Sequence, residues 1–109
     1  MCRAVKVLCA AAGPERLAEI KRSAVAAEWE LVGGAASLDE LATQLEDRRP
    51  DVLVLDASLG QESVVRARAL LPSVRIVAIG DLGGADEVTS LNEVRAAILG
   101  LPRPGGPVR

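Results

Sequence analysis

Pro50-Asp51-Val52-Leu53-Val54-Leu55-Asp56 is the stretch on which the fold turns. Its four central residues are all apolar, without the alternation of a strand that keeps one face in water. Such a run reads as a central strand covered on both faces, the pattern of a parallel sheet. Pro50 forbids a helix from running into it, and Asp56 puts a carboxylate at its carboxyl end.

Working outward, Ser37-Leu38-Asp39-Glu40 is a capping box that opens a helix carrying Leu38, Leu41, Ala42 and Leu45. Arg48 and Arg49 close it, where cations favour a helix C-terminus. Further back, Trp29 to Val32 predicts a short strand stopped by Gly33-Gly34, preceded by a helix from about Pro14 to Glu28 with Leu17, Ile20, Ala24 and Ala27 on one stripe. Val5 to Ala10 predicts the first strand. Beyond Asp56, a helix is expected over about Gln61 to Leu71, ended by Pro72, and Val74 to Gly80 predicts a fourth strand. Strands and helices alternate with short connections, which implies an α/β fold: a doubly wound parallel sheet of four or five strands.

The last quarter admits two readings. Ser90-Leu91-Asn92-Glu93 is a second capping box opening a helix through Leu99, with Val88-Thr89 as a very short fifth strand before it. Alternatively one helix fills Asp86 to Leu99 and the fifth strand is missing. Leu101 to Arg109 holds three prolines and two glycines and predicts a linker or tail. The domain is therefore expected over residues 1–100, with 101–109 outside it and a further segment of a larger regulator or ATPase able to follow.

Composition narrows the chemistry. The 109 residues suffice for one domain. Trp29 is the sole aromatic, so the core is aliphatic; Trp29 is expected to pack against helix ends. The formal net charge of -2, with Lys and Arg scattered among Asp and Glu, argues against a nucleic-acid footprint. No apolar run reaches the length of a membrane span, and no signal sequence follows the charged start, so a cytoplasmic protein is expected. The cysteines, Cys2 and Cys9, form no CxxC pair, and Cys9 reads as a small buried hydrophobe. With no histidine, the usual general base and the commonest metal ligand are both gone. No enzyme constellation, metal site or cofactor is expected.

The strand ending in Asp56, together with Val7-Leu8-Cys9-Ala10-Ala11-Ala12-Gly13-Pro14, resembles the receiver domain of bacterial response regulators, and residues 5 to 99 can be laid on that flavodoxin-like family. The resemblance implies a phospho-acceptor at Asp56. It also implies an acidic pair for Mg²⁺ after strand one, a Ser or Thr after strand four and a Lys after strand five. Those positions hold Ala11 and Ala12, Gly80, and Leu91; no lysine occurs after Lys21. Mg²⁺ needs carboxylate charge to be held, and phosphoryl transfer rests on positioning and charge neutralisation. Asp56 is thus expected to be a vestigial phospho-acceptor, with a structural duty such as capping the neighbouring loop or the third helix. Asp81 either faces the same crevice or caps a turn. Glu15, the acid nearest the first loop, is expected to belong to the helix.

In the family a helix separates strands four and five, whereas only Asp81 to Gly84 is available here. Either that helix or the fifth strand is reduced or missing, and strand four should lack cover. Ile76 and Ala78, or Val77 and Ile79, are then expected to look outward as a partner surface, for a homodimer or another protein. Arg66 and Arg68 on the third helix are expected to form a solvated face. Three functions compete: an atypical receiver acting by protein–protein interaction without phosphorylation, as at the front of some regulators and of ATPases for pilus assembly or septum placement; a working phospho-receiver of a two-component system using Asp56; and a small-ligand-binding flavodoxin-like domain. The last is weakened because Ala10 to Arg16 lacks a phosphate-cradling glycine pattern.

Overall fold

A computed structural model of the protein describes residues 5–100. The apolar run at its centre becomes β3 (Val52–Asp56), buried at every position. It lies between β1 (Val5–Ala10) and β4 (Arg75–Ile79). Outside these sit β2 (Trp29–Ala35) and β5 (Glu87–Thr89), giving the parallel order β2-β1-β3-β4-β5. The helices are α1 (Pro14–Ala24), α2 (Leu38–Arg48), α3 (Gln61–Leu70) and α4 (Val94–Leu99).

Successive side chains of the central strands go to opposite faces, and two cores result. Leu8, Leu53, Leu55, Ile76 and Ala78 pack under α2 and α3, against Leu41, Leu45, Val64 and Ala67. Val7, Cys9, Val52, Val54, Val77 and Ile79 pack under α1 and α4, against Ile20, Ala24, Val94 and Ile98. Among the described residues no helix is long and apolar enough to cross a membrane. Cys9 is fully buried and desolvation pushes its thiol up to about 12. At mildly alkaline pH the folded chain should leave Cys9 unmodified by iodoacetamide, and unfolding should expose it, as peptide mass mapping would show.

Several boundaries move for identifiable reasons. α1 stops at Ala24, four residues short of the expected Glu28, because the Trp29 indole Nε1–H donates to the Ala24 carbonyl at 2.7 Å and Val25 turns extended. Trp29 therefore packs against a helix end, as expected. Gly33 and Gly34 do not stop β2 but continue it past a register shift opposite Val7/Leu8. A Cβ on Gly33 would meet Gln44 Oε1 at 2.7 Å, and one on Gly34 would meet Lys21 Cε at 2.6 Å. The ends of the Gln44 side chain of α2 and the Lys21 side chain of α1 lie over these two glycines. The Ser37 box forms: Glu40 N–H donates to Ser37 Oγ at 3.2 Å, and Glu40 Oε1 accepts from Ala36 N–H at 2.7 Å. The Ser90 box does not. Ser90 makes no side-chain cap; a 3-10 turn over Leu91–Glu93 comes first and α4 starts only at Val94.

The open question in the last quarter resolves in favour of a fifth strand, so the helix between β4 and β5 is the missing element. The expected consequence, an uncovered strand four, is corrected. Ile76, Val77 and Ala78 are fully buried and Ile79 nearly so. Val77 and Ile79 lie under α4. On the other face the β4–β5 connection tucks Leu82, only 5% exposed, into the core beside Ile76 and Ala78, with Ala85 packed against it. The residues named as a partner surface are thus unavailable to a partner.

The connection is held by α3. Gln61 Oε1 accepts from Gly83 N–H at 2.9 Å, and its Nε2 donates back to the Gly83 carbonyl. Arg68 donates to the carbonyls of Val74 at 2.9 Å and Gly84 at 2.7 Å, and pairs with Asp86 at 3.2 Å. Asp86 in turn accepts from Ile76 N–H at 2.8 Å. Arg68 is therefore a strut, not part of a solvated face; Arg66 is the exposed one, pairing with Glu62 one turn away. Residues 101–109, expected to be a linker or tail, lie outside the described residues.

Candidate functional site

Ligands of open parallel sheets sit at the carboxyl ends of the strands, and here Asp56 ends β3 beside the turn that follows β1. Asp56 is 4% exposed. Both of its carboxylate oxygens are engaged. Oδ2 accepts from Ser58 N–H at 3.0 Å and so caps the 3-10 turn Ala57–Leu59. Oδ1 receives a fork from Arg16, with Nε at 3.1 Å and the NH2 nitrogen at 3.1 Å. Ser58 Oγ then accepts from Ala12 N–H at 3.0 Å, tying the β3 turn to the β1 turn.

Arg16 reaches Asp56 because Gly13 and Pro14 start α1 close after the end of β1, which places the first turn of the helix, Arg16 included, near the end of β3. Its other NH1 nitrogen holds Glu19 at 3.1 Å. Hydrogen bonding to Glu19, then burial-opposed attraction to Asp56, leaves the guanidinium charged even above its usual range. One cation thus bridges two carboxylates, one buried and one exposed.

The other expected positions carry nothing that could replace this. Ala11 is buried and Ala12 exposed, neither with a polar side chain. Gly80 adopts a φ of +99°, and a Cβ there would come 2.9 Å from the Ala57 Cβ. The backbone itself, not only the missing hydroxyl, departs from what a Ser or Thr would need. Gly80→Ser should destabilise the domain by about 1–3 kcal/mol, read as an earlier denaturant midpoint with unchanged slope. Leu91 is half-buried and packs against the α1/α4 core. Asp81 is exposed and makes no hydrogen bond or ion pair among the described residues, so it caps no turn. Glu15 lies in the first turn of α1, as expected.

Arg16 is the residue that sequence reasoning missed. The signal was indirect: a buried Asp stripped of metal ligands and lysine still needs a counter-charge, and the first turn of α1 holds a cation beside it, Arg16.

No protein-family model matches the sequence, and no curated protein matches it either. Solved structures do. The response regulator domain of Thermotoga maritima CheB superposes with a TM-score of 0.69 at 16% identity, over 92% of this chain and 100% of that one. The signal receiver domain of the response regulator NarL from Mycobacterium tuberculosis gives 0.70 at 20% identity, over 90% and 95%. The chain has the receiver fold. The receiver domain of AraT from Geobacillus stearothermophilus gives 0.70 at 22% identity, over 89% and 92%.

Receivers of this fold that accept phosphate use a divalent cation beside the acceptor. The residues here do not fit one. Among the described residues no group of three or more His, Cys, Asp or Glu is placed to hold a metal, and Asp56 Oδ1 faces the Arg16 guanidinium. The cation beside the carboxylate at the end of β3 is a side chain of the chain itself, Arg16.

Proposed function

We propose that this domain is a phosphorylation-independent signalling or assembly module that works through protein–protein contact, an atypical receiver. The observation that carries the reading is the Arg16 fork on Asp56, at 3.1 Å from two nitrogens. An incoming phosphoryl group would have to displace that fork and the Ser58 cap, then sit against Gly80 and Leu91, which offer no hydroxyl and no ammonium. Transition-state charge would be met by one guanidinium already shared with Glu19. Loss of each neutralising partner costs several kcal/mol of catalysis, on the order of 2.7–4 where one donor has been removed elsewhere. Ala11 and Ala12 add nothing in compensation.

The reading is tested by amide NMR of the labelled protein, titrated with Mg²⁺ and then beryllofluoride. Resonances of Asp56, Ser58 and Gly80 are expected to stay put, and acetyl phosphate should add no mass. Saturable shifts at those residues would establish the phospho-receiver instead. The module is proposed to act in the cytoplasm, without nucleic acid.

A further inference from the structure

On the far side of α1 from β2, an open cleft of about 600 Å³ runs between α1 and the Leu91–Leu99 segment. Glu19, Arg22 and Ser23 line it from α1, and Leu91, Asn92 and Arg95 from the segment opposite. The charge in it is one-sided. Glu19 is already bonded to Arg16, whereas Arg22 and Arg95 make no ion pair among the described residues. Arg16, Arg66, Arg68 and Arg75 have carboxylate partners, while Arg48 and Arg49 at the end of α2 also make no ion pair among the described residues but lie outside this cleft. In a chain of net charge -2, two guanidiniums without an ion pair lining one groove mark a local excess of positive charge.

We propose that the cleft between α1 and α4 docks an acidic segment of a protein partner, with Arg22 and Arg95 taking its carboxylates; this rests on the protein-interaction reading above. Each guanidinium presents a planar fork matched to a carboxylate. Ser23 and Asn92 supply further hydrogen bonds, and the half-buried Leu91 gives the lining an apolar contact that a bare inorganic anion would not use. A peptide with Glu on one face and Ala or Leu beneath fits that combination. Nucleic acid does not: the groove has no aromatic on which a base could stack. Both walls are helical or tight-turn backbone, so the two forks are presented without a loop having to order.

The test is a titration of the labelled protein with a capped Glu-rich helical peptide, followed by amide and arginine Nε–H resonances. Saturable shifts confined to Arg22, Ser23, Leu91, Asn92 and Arg95, weakening with salt, are expected. The same peptide with Gln for Glu should bind about tenfold more weakly or worse. Arg22→Glu with Arg95→Glu should abolish the shifts, while Arg66→Glu on the opposite face should leave them. Absence of shifts, equal binding of the Gln peptide, or persistence in the double variant overturns the proposal. So does inorganic phosphate reproducing the same shifts at the same concentration, which would reduce the cleft to a general anion site. None of these results depends on Asp56. A response of Asp56 and Gly80 to beryllofluoride would overturn the phosphorylation-independent reading and leave the cleft to be judged on its own titration.

Discussion

Arg16→Ala is expected to destabilise the domain by about 1–3 kcal/mol, an effect far above that of an ordinary helix-surface substitution. The reason is asymmetry. Asp56 has a side chain only 6% exposed, and the Arg16 guanidinium lies 3.1 Å from its Oδ1. Without Arg16 the carboxylate retains the Ser58 amide but loses both charge-assisted bonds to Oδ1. Arg16 itself is 38% exposed, so solvent screens part of the loss, which is why the figure lies below that of a fully buried pair. Arg16→Lys should recover only part of it, since an ammonium cannot make the fork. Asp56→Asn on the Arg16→Ala background should restore stability toward the parent, because the neutral amide no longer needs a counter-charge and can still accept from Ser58. Urea unfolding of the parent, Arg16→Ala, Asp56→Asn and the double variant closes the cycle. A coupling within a few tenths of a kcal/mol of zero would mean the pair is ornamental.

The position of Asp56 was legible from the sequence, and its partner was not. An unbroken apolar run bounded by a proline and an acid is a local signal, and parallel-sheet physics turns it directly into a buried strand with a carboxylate at its end. Ser37 and Glu40 were equally local. Arg16 meets Asp56 across forty residues of chain, through the way α1 is seated on β1, and no spacing rule carries that. The same limit explains the glycines of β2. Read along the chain they are breakers; in the fold they continue the strand, with the ends of the Gln44 and Lys21 side chains over them. Ser90-Leu91-Asn92-Glu93 matches a capping box by composition but follows a three-residue strand. Glu93 N–H there closes a tight turn onto the Ser90 carbonyl at 3.0 Å, and the box gives way to it.

Leu82→Ala is expected to cost about 2–4 kcal/mol, the range of a buried leucine truncated where its surroundings cannot collapse. The site has little freedom to collapse. Leu82 is 5% exposed and lies on Ile76 and Ala78, where a whole helix would be needed to cover β4 if the connection were longer. Its flanks are pinned, by Gln61 on Gly83 and by Arg68 on Gly84 and Asp86, so the backbone cannot follow the smaller side chain inward. The sequence expected strand four to be bare because it counted residues for a helix and found too few. One leucine on a braced loop does the covering instead. The substitution therefore tests the replacement as well as the packing. If Leu82 is what shields β4, Leu82→Ala should also bind a hydrophobic dye and self-associate in light scattering at concentrations where the parent does not. Arg68→Ala should move in the same direction by releasing the loop. A Leu82→Ala protein as stable and as monodisperse as its parent would show that α3 and β5 cover strand four unaided, and that the shortened connection is a passive link.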